Sequence, residues 1–247
     1  GAALHAQVLT NSRPVPSLRG ECYTRASEVP GMDEERMEAR ADAVREWVVP
    51  HGGFFLKPAT SLAPALLGCL LLMDDPDPAA VTSGIIVETE AYTQEDPASH
   101  SRSGRTARNA SMFLEGGRAY VYFIYGMHCC FNVSAGPAGT GEAVLVRALE
   151  PVEGIPLMES RRGLRGSARG LTDGPAKLCQ ALEITREHDG ADLVGTVGGC
   201  CGPRILLPGH AAPVECGKSA RIGVSRAAER PWRFYVPGSP FLSRRPR

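Results

Sequence analysis

Tyr120-Val-Tyr122-Phe-Ile-Tyr125-Gly-Met-His128-Cys-Cys-Phe-Asn132 reads as parts of two strand-like stretches, 119–125 and 128–134, broken at Tyr125-Gly126. Val, Ile, Tyr and Phe at this density favour a pleated, half-buried surface. A second such run, Ile85-Ile-Val-Glu88-Thr-Glu90-Ala-Tyr92, precedes it, and further strands are expected at 69–73, 83–90 and 143–149. Helices are expected from Thr60 to Leu67, with Gly68 as the stop, and at 153–162 and 175–183, the last opening on Gly174-Pro175. Residues 186–218 read as loop apart from Ile205-Leu206-Leu207, and short strands are expected at 221–224 and 233–236. The strands do not alternate with long helices and no Gly-rich nucleotide loop follows a strand. The reading is therefore α+β with antiparallel strands rather than a doubly wound sheet.

The chain of 247 residues suffices for one large domain or two small ones. Residues 1–50 read as an extension: an irregular tail to about residue 30, then a helix at 34–48 opened by Asp33. Residues 51–247 form the main domain. Lys and Arg total 27 and Asp and Glu total 27, which argues against a protein that coats nucleic acid non-specifically. The balance is uneven, since Arg102, Arg105, Arg108 and Arg118 meet only Glu115 in their stretch. The 8 cysteines include no C-x-x-C and fit a reducing, intracellular setting. No basic-then-apolar leader is read at the N-terminus, and the longest apolar run, Leu66 to Met73, is too short to span a bilayer.

Four of the 6 tyrosines fall in the two runs, beside acids, and the cationic Ser101–Asn109 stretch lies between them. Rings, an acid and a phosphate-binding stretch together point to nucleic acid. Glu88 and Glu90 share a strand face by their spacing of two. One of them in a dry cleft would serve as a base, whereas both at a strand end would be merely solvated. Tyr120 and Tyr122 share one face and Tyr125 takes the other; Tyr125, followed by Gly126, is placed either to project as a wedge or to be buried. His100 is a loop residue, idle or stacked on a base. Arg147, inside Val144-Leu-Val-Arg-Ala-Leu149, requires an anion: Glu150 or Glu153 in the structural reading, a DNA phosphate in the functional one. Asn132 holds backbone or reads a ligand edge. Cys200, Cys201, His210 and Cys216 match no common metal site, and no metal or other cofactor is expected.

Taken in order, Ile86-Val-Glu-Thr-Glu-Ala-Tyr92, His100-Ser-Arg, Arg108-Asn-x-x-Met-Phe113, Tyr120-Val-Tyr-x-Ile-Tyr-Gly-Met127, Val146-Arg-Ala-Leu-Glu-Pro151, Gly174-Pro-x-Lys-Leu-Cys-Gln-Ala-Leu182, Arg221-Ile-Gly-Val224 and Arg233-Phe-Tyr-Val-x-Gly-Ser-Pro240 resemble the alkyladenine (3-methyladenine, methylpurine) DNA glycosylases. The resemblance covers about 54 to 243. It implies a single mixed domain around a curved antiparallel sheet. It also implies a metal-free hydrolase of the N-glycosidic bond of damaged purines in double-stranded DNA, found wherever the cell keeps its DNA; a monomer is expected, since no oligomer signal is visible and one set of site residues per chain fits one. By that resemblance Glu90 is the general base and Tyr125 the wedge in the minor groove. Tyr92, His100 and Tyr122 line the base pocket, with Asn132 against the 2-amino group of guanine and Ile222 at a main-chain contact. Arg147, Lys177, Arg105 and Arg108 hold the DNA backbone. His128 stands where many relatives have Tyr, Ala107 where a proline is common, and Phe131 where relatives vary, with an expected effect on pocket shape.

Overall fold

The computed structural model describes residues 47–75, 77–124, 126–195, 202–209 and 214–246. Nine strands form one open antiparallel sheet: β1 (Trp47–Val48), β2 (Leu70–Asp74), β3 (Thr82–Tyr92), β4 (Ala119–Ile124), β5 (His128–Ala135), β6 (Glu142–Glu153), β7 (Gly202–Pro208), β8 (Gly217–Ser219) and β9 (Arg233–Tyr235). Their order is β1-β7-β2-β3-β6-β5-β4, with β9 pairing β3 and β8. Among the described residues three helices accompany them: α1 (Ala59–Ala65), α2 (Ile155–Arg162) and α3 (Pro175–Leu182). The α+β antiparallel expectation holds.

β3 and β6 form the spine. β6 pairs β3 from Ser83 to Tyr92. On its other edge β3 pairs β2 only as far as Ile85 and β9 from Glu88 onward. The sheet therefore forks beside Glu88 and Glu90. The β3–β6 register also slips there. Ile86 faces Leu149 and Glu88 faces Ala148, leaving Val87 as an extra residue; Glu88 faces Ala148 and Thr89 faces Val146, leaving Arg147 as another. Such bulges put consecutive residues on the same face and bend the strands. Ile86, Ala91, Val144, Val146 and Leu149 accordingly lie in the main core, while Val87 and Ala148 pack with Phe241 on the opposite face.

The main core fills one side of the sheet, where α1 and α3 bring Leu62, Leu66, Leu178, Cys179 and Leu182 against the strands. Thr89 hydroxyl donates to the Ala63 carbonyl at 2.9 Å, tying β3 to α1. The free N–H of Ala59 at the start of α1 donates to the Glu142 carboxylate at 2.7 Å, one of the orphan donors every helix start presents. Phe131 is buried on this core side, so it does not shape the opposite face as expected.

Several sequence expectations need correction. Residues 47 and 48, expected to end a helix, are β1 and pair with Leu207 and Pro208; Trp47 packs against a small cluster of Leu70, Leu72 and Leu206. The rest of that helix, and the tail before it, lie outside the described residues. The expected strand at 221–224 is absent; the pairing partner of β9 is instead β8 at 217–219. β7 extends on both sides of Ile205–Leu207 because it pairs along the whole of β2. The helix expected from 153 starts at Ile155, since β6 runs on to Glu153.

β4 is reached through Gly116-Gly117, whose backbone docks on a 3-10 turn at Gly52–Leu56. Gly116 N–H donates to the Gly136 carbonyl, and Gly136 N–H donates to Phe55 at 3.0 Å. A Cβ on Gly116 would lie 2.2 Å from the Phe55 carbonyl oxygen, a backbone atom that has no rotamer escape. Gly116→Ala is expected to cost about 1–3 kcal/mol by overpacking. Urea unfolding monitored by circular dichroism measures it, and an unchanged midpoint would refute the docking role.

Candidate active site

The face of the sheet opposite the main core carries the acids and rings singled out by sequence. A row across four strands aligns Glu90 with Leu145, Leu145 with Asn132, and Asn132 with Tyr120. At about 4.8 Å between strands, the Asn132 backbone stands roughly 10 Å from that of Glu90. Tyr120 and Tyr122 share this face, as expected, and cluster with Met112 and Ala143, while Val121 points into the main core.

Glu88 and Glu90 are both fully buried, yet their surroundings differ. Glu88 accepts from Arg147 Nε at 3.1 Å, Arg233 Nε at 2.7 Å, and the Ser243 N–H and hydroxyl at 2.6 and 2.8 Å. Three of those donors converge on Oε1, and the Ser243 N–H alone reaches Oε2. Glu90 accepts from the Ile222 N–H at 2.7 Å and the Tyr92 hydroxyl at 2.8 Å, and Arg147 Nη1 lies 3.3 Å from it. Glu90 thus accepts two hydrogen bonds beside one ion-pair contact, where Glu88 accepts four. The sequence could not choose between the two acids, and the structure gives Glu88 twice as many hydrogen-bond donors as Glu90.

Burial pushes the Glu90 carboxyl above the ordinary glutamate value, against the pull of Arg147, Ile222 N–H and Tyr92, with Glu88 adding to the rise. Burial works to lower the Arg147 pKa, but Glu90 and Glu88 outweigh it and hold the guanidinium charged. Tyr92 is pushed up by burial and by Glu90, so its phenol keeps the proton it donates. The partners of Arg147 are thus Glu88 and Glu90, not Glu150 or Glu153.

His100 sits at the rim. Its Nδ1 and the Tyr120 hydroxyl are 2.9 Å apart, and its ring meets Tyr122 edge-on at 4.6 Å between centroids. The packed neighbours that exclude water from one side of the ring, with Arg108 nearby, hold the imidazole below its ordinary value. The loop after it is stitched by Asn109, whose amide donates to the His100 and Gly104 carbonyls and whose oxygen accepts from Thr106 N–H. That stitching leaves Arg102, Arg105 and Arg108 exposed. Asn132 Nδ2 donates to the Tyr120 carbonyl at 2.9 Å, the backbone-holding reading. Lys177 pairs with Asp173 at 2.8 Å and lines a hollow of about 260 Å³ with Ile124, His128 and Cys130. On the hairpin's other flank, Ala107, Arg108, Tyr122, Phe123, Gly126 and Arg186 line a hollow of about 520 Å³.

Tyr125 lies outside the described residues; beside it Phe123 and Met127 are 50% and 73% exposed. Cys200, Cys201 and His210 also lie outside them, and among the described residues no three His, Cys, Asp or Glu side chains stand together as metal ligands. No described helix is long and apolar enough to cross a membrane.

Sequence reasoning missed Arg233, Ser243, Asp96 and Arg221. The signal for Arg233 was present: an arginine opening the apolar Arg233-Phe-Tyr-Val236 demands an anion by the argument used for Arg147. Because Glu88 neutralises two buried guanidiniums, Glu88→Ala should cost about 3–5 kcal/mol of stability. Thermal and urea unfolding test this, and a loss typical of a surface substitution would show that the cluster does not hold the fork together.

A family model described as Methylpurine-DNA glycosylase (MPG) matches residues 53–240. Three relatives, each named "Putative 3-methyladenine DNA glycosylase", show how much of the chain is shared. That of Granulibacter bethesdensis is 48% identical over 77% of this chain and 85% of its own length. That of Methanoculleus marisnigri is 45% identical over 78% and 97%, and that of Agrobacterium fabrum 45% over 78% and 91%. The buried acid pair, the ring-lined face and the matched span agree, and the chain belongs to the methylpurine-DNA glycosylase family.

Proposed function

We propose that this protein is a monofunctional DNA glycosylase that extrudes alkylated or deaminated purines from duplex DNA and hydrolyses their N-glycosidic bond, leaving an abasic site. The observation that supports the mechanism is that buried Glu90 accepts two hydrogen bonds where Glu88 accepts four, which leaves it acceptor capacity for a water. A water held there gives its proton to Glu90 while its oxygen attacks C1′ of the sugar. The C1′–N bond breaks with its electron pair passing to the purine. A purine already alkylated to a cation leaves as a neutral base and needs no proton.

The surroundings support this reading. A base inside a duplex cannot reach a buried acid, so it must be flipped out. Tyr92, His100 and Tyr122 are flat and partly exposed at the mouth, suited to stack on it. The lowered pKa of His100 keeps the imidazole neutral at neutral pH, which spares a cationic base from charge repulsion. Tyr125, which falls in the sequence between β4 and β5, takes the role of wedge, with the exposed Phe123 and Met127 as its apolar neighbours in sequence. Asn132, across the sheet from Glu90, excludes the 2-amino group of guanine. Arg105, Arg108 and Lys177 contact phosphates, and Arg147 positions Glu90 and reaches the backbone near the extruded nucleotide.

Glu90→Gln should bind duplexes containing hypoxanthine or 7-methylguanine but release no base; retained release would remove Glu90 from the mechanism. Binding without release by the parent protein would instead indicate a lesion-binding protein. The single-turnover rate should fall as pH drops through the Glu90 pKa, at a pH above the ordinary glutamate value of about 4.5. The stability effect has the opposite tendency. A folded-state pKa raised above the unfolded one means stability is lost as pH rises between the two. Glu90→Gln should therefore be at least as stable as the parent at neutral pH, the gap closing as pH falls toward 4.5. Arg105→Ala and Arg108→Ala should each lower the slope of log affinity against log salt by about 1. An unchanged slope would place those arginines off the DNA.

A further inference from the structure

Arg221 and Asp96 form an ion pair with both side chains fully buried, 125 residues apart in sequence. Arg221 Nη1 and Nη2 each reach the Asp96 carboxylate, the second at 3.0 Å. Nη1 also donates to the Ala91 carbonyl at 3.1 Å, and Nη2 to the Ala227 carbonyl at 3.4 Å. The guanidinium lies 4.6 Å from the centroid of Tyr92 and 5.3 Å from that of Trp232. One side chain therefore touches three pieces of the site. Ala91 is the residue between Glu90 and Tyr92. Asp96 opens the turn that leads to His100, accepting from Ala98 N–H at 3.1 Å while its carbonyl accepts from Ser99 N–H. Ile222, the next residue after Arg221, gives its N–H to Glu90.

A buried ion pair contributes little net stability over a well-packed apolar replacement, so its place beside the acid is informative. Residues 220–224 carry no sheet pairing, so nothing in the ladder fixes where the Ile222 N–H points. The forked grip of Arg221 does. With a cation over one face of its ring, Tyr92 also has a single face left for a base.

We propose that the Asp96–Arg221 pair is a positioning device for the reaction: it seats the Ile222 N–H on Glu90 Oε1, and so fixes which way the remaining acceptor position of Glu90 points. This rests on the glycosylase reading, and the test separates the two. Glu90 is faced by Glu88 and Tyr92 from β3, Arg147 from β6, Arg233 from β9, Tyr122 from β4, and by Arg221 itself. Asp96→Asn leaves all of these in place and removes one nearby negative charge, which also counterbalances Arg230 at 3.9 Å. Direct electrostatics would then lower the Glu90 pKa. Release of the Ile222 N–H raises it, because the charged carboxylate loses a donor.

The Glu90 midpoint is read by carbon-13 titration of its carboxyl in the DNA-free protein, assigned with Glu90→Gln, and again from the acid limb of single-turnover base release. In Asp96→Asn and in Arg221→Lys, which keeps the charge but not the fork, the midpoint should rise by about one unit, with roughly tenfold slower release below it. A midpoint that falls or stays put in the folded variants overturns the proposal. If neither variant folds, amide exchange at Ile222 in the unaltered protein decides: a protected amide supports the clamp, and exchange at the rate of an exposed loop overturns it. A parent protein that titrates normally yet releases no base defeats the glycosylase reading and leaves the carbon-13 result standing.

Discussion

The structure depends on the neutralisation of four charges buried together on one face of the sheet: Glu88, Glu90, Arg147 and Arg233. None of them is tolerable alone there, since an unpaired buried charge costs far more than a typical contact returns. Their mutual arrangement dictates the local architecture. Val87 and Arg147 are extra residues in their ladders, and those two bulges turn Glu88 and Arg147 onto the same face. β2 must leave β3 at this level so that β9 can bring Arg233 alongside. The C-terminal segment is fastened to the same acid through Ser243.

From this follows a division of labour between two glutamates that look equivalent in sequence. Glu88 is surrounded by donors and behaves as a fixed counter-ion. Glu90 shares Arg147 with it but accepts fewer hydrogen bonds and has a raised pKa, a conflict between burial and charge that suits the role proposed for it. The like charge of Glu88 adds to the rise, so one acid tunes the other. The cost of burying Glu90 is offset by the four hydrogen bonds gathered on Glu88.

The sequence made the sheet legible because its strands are dense in Val, Ile, Tyr and Phe and separated by glycine or polar turns. It placed β2 to β6 within a few residues and put Tyr120 and Tyr122 on one face. It could not reveal bulges, because a bulge leaves no local pattern and appears only when two distant strands are set in register. The same limit hid Asp96 from Arg221 and left Arg147 assigned to the nearby Glu150 or Glu153. Residues 217–224 show the other failure. Ile222 and Val224 suggested a strand, but pairing went to Gly217–Ser219, where glycine permits close approach to the Tyr235 ring. The family's motifs reached Glu90, Tyr92 and His100 without any of this, but said nothing of what holds them.

The rings at the mouth bring the fold and the proposed chemistry together. His100 and Tyr122 meet edge-on at 4.6 Å, and on the proposed reading a flipped base stacks by parting them. Opening it forfeits an aromatic pair worth about 0.5–1.5 kcal/mol. Stacking a base restores about 1–3 kcal/mol for a ring contact. The exchange is therefore favourable once a base is outside the duplex, but too small to offset the few kcal/mol needed to extract a well-paired one. On the proposed reading, a pocket that closes on itself in this way would discriminate before chemistry begins: bases that are already weakly paired would enter, and sound ones would return to the stack. Tyr120 sharpens the discrimination, since its hydroxyl restrains His100 through Nδ1 and limits how far the ring can swing to admit a poorly fitting base.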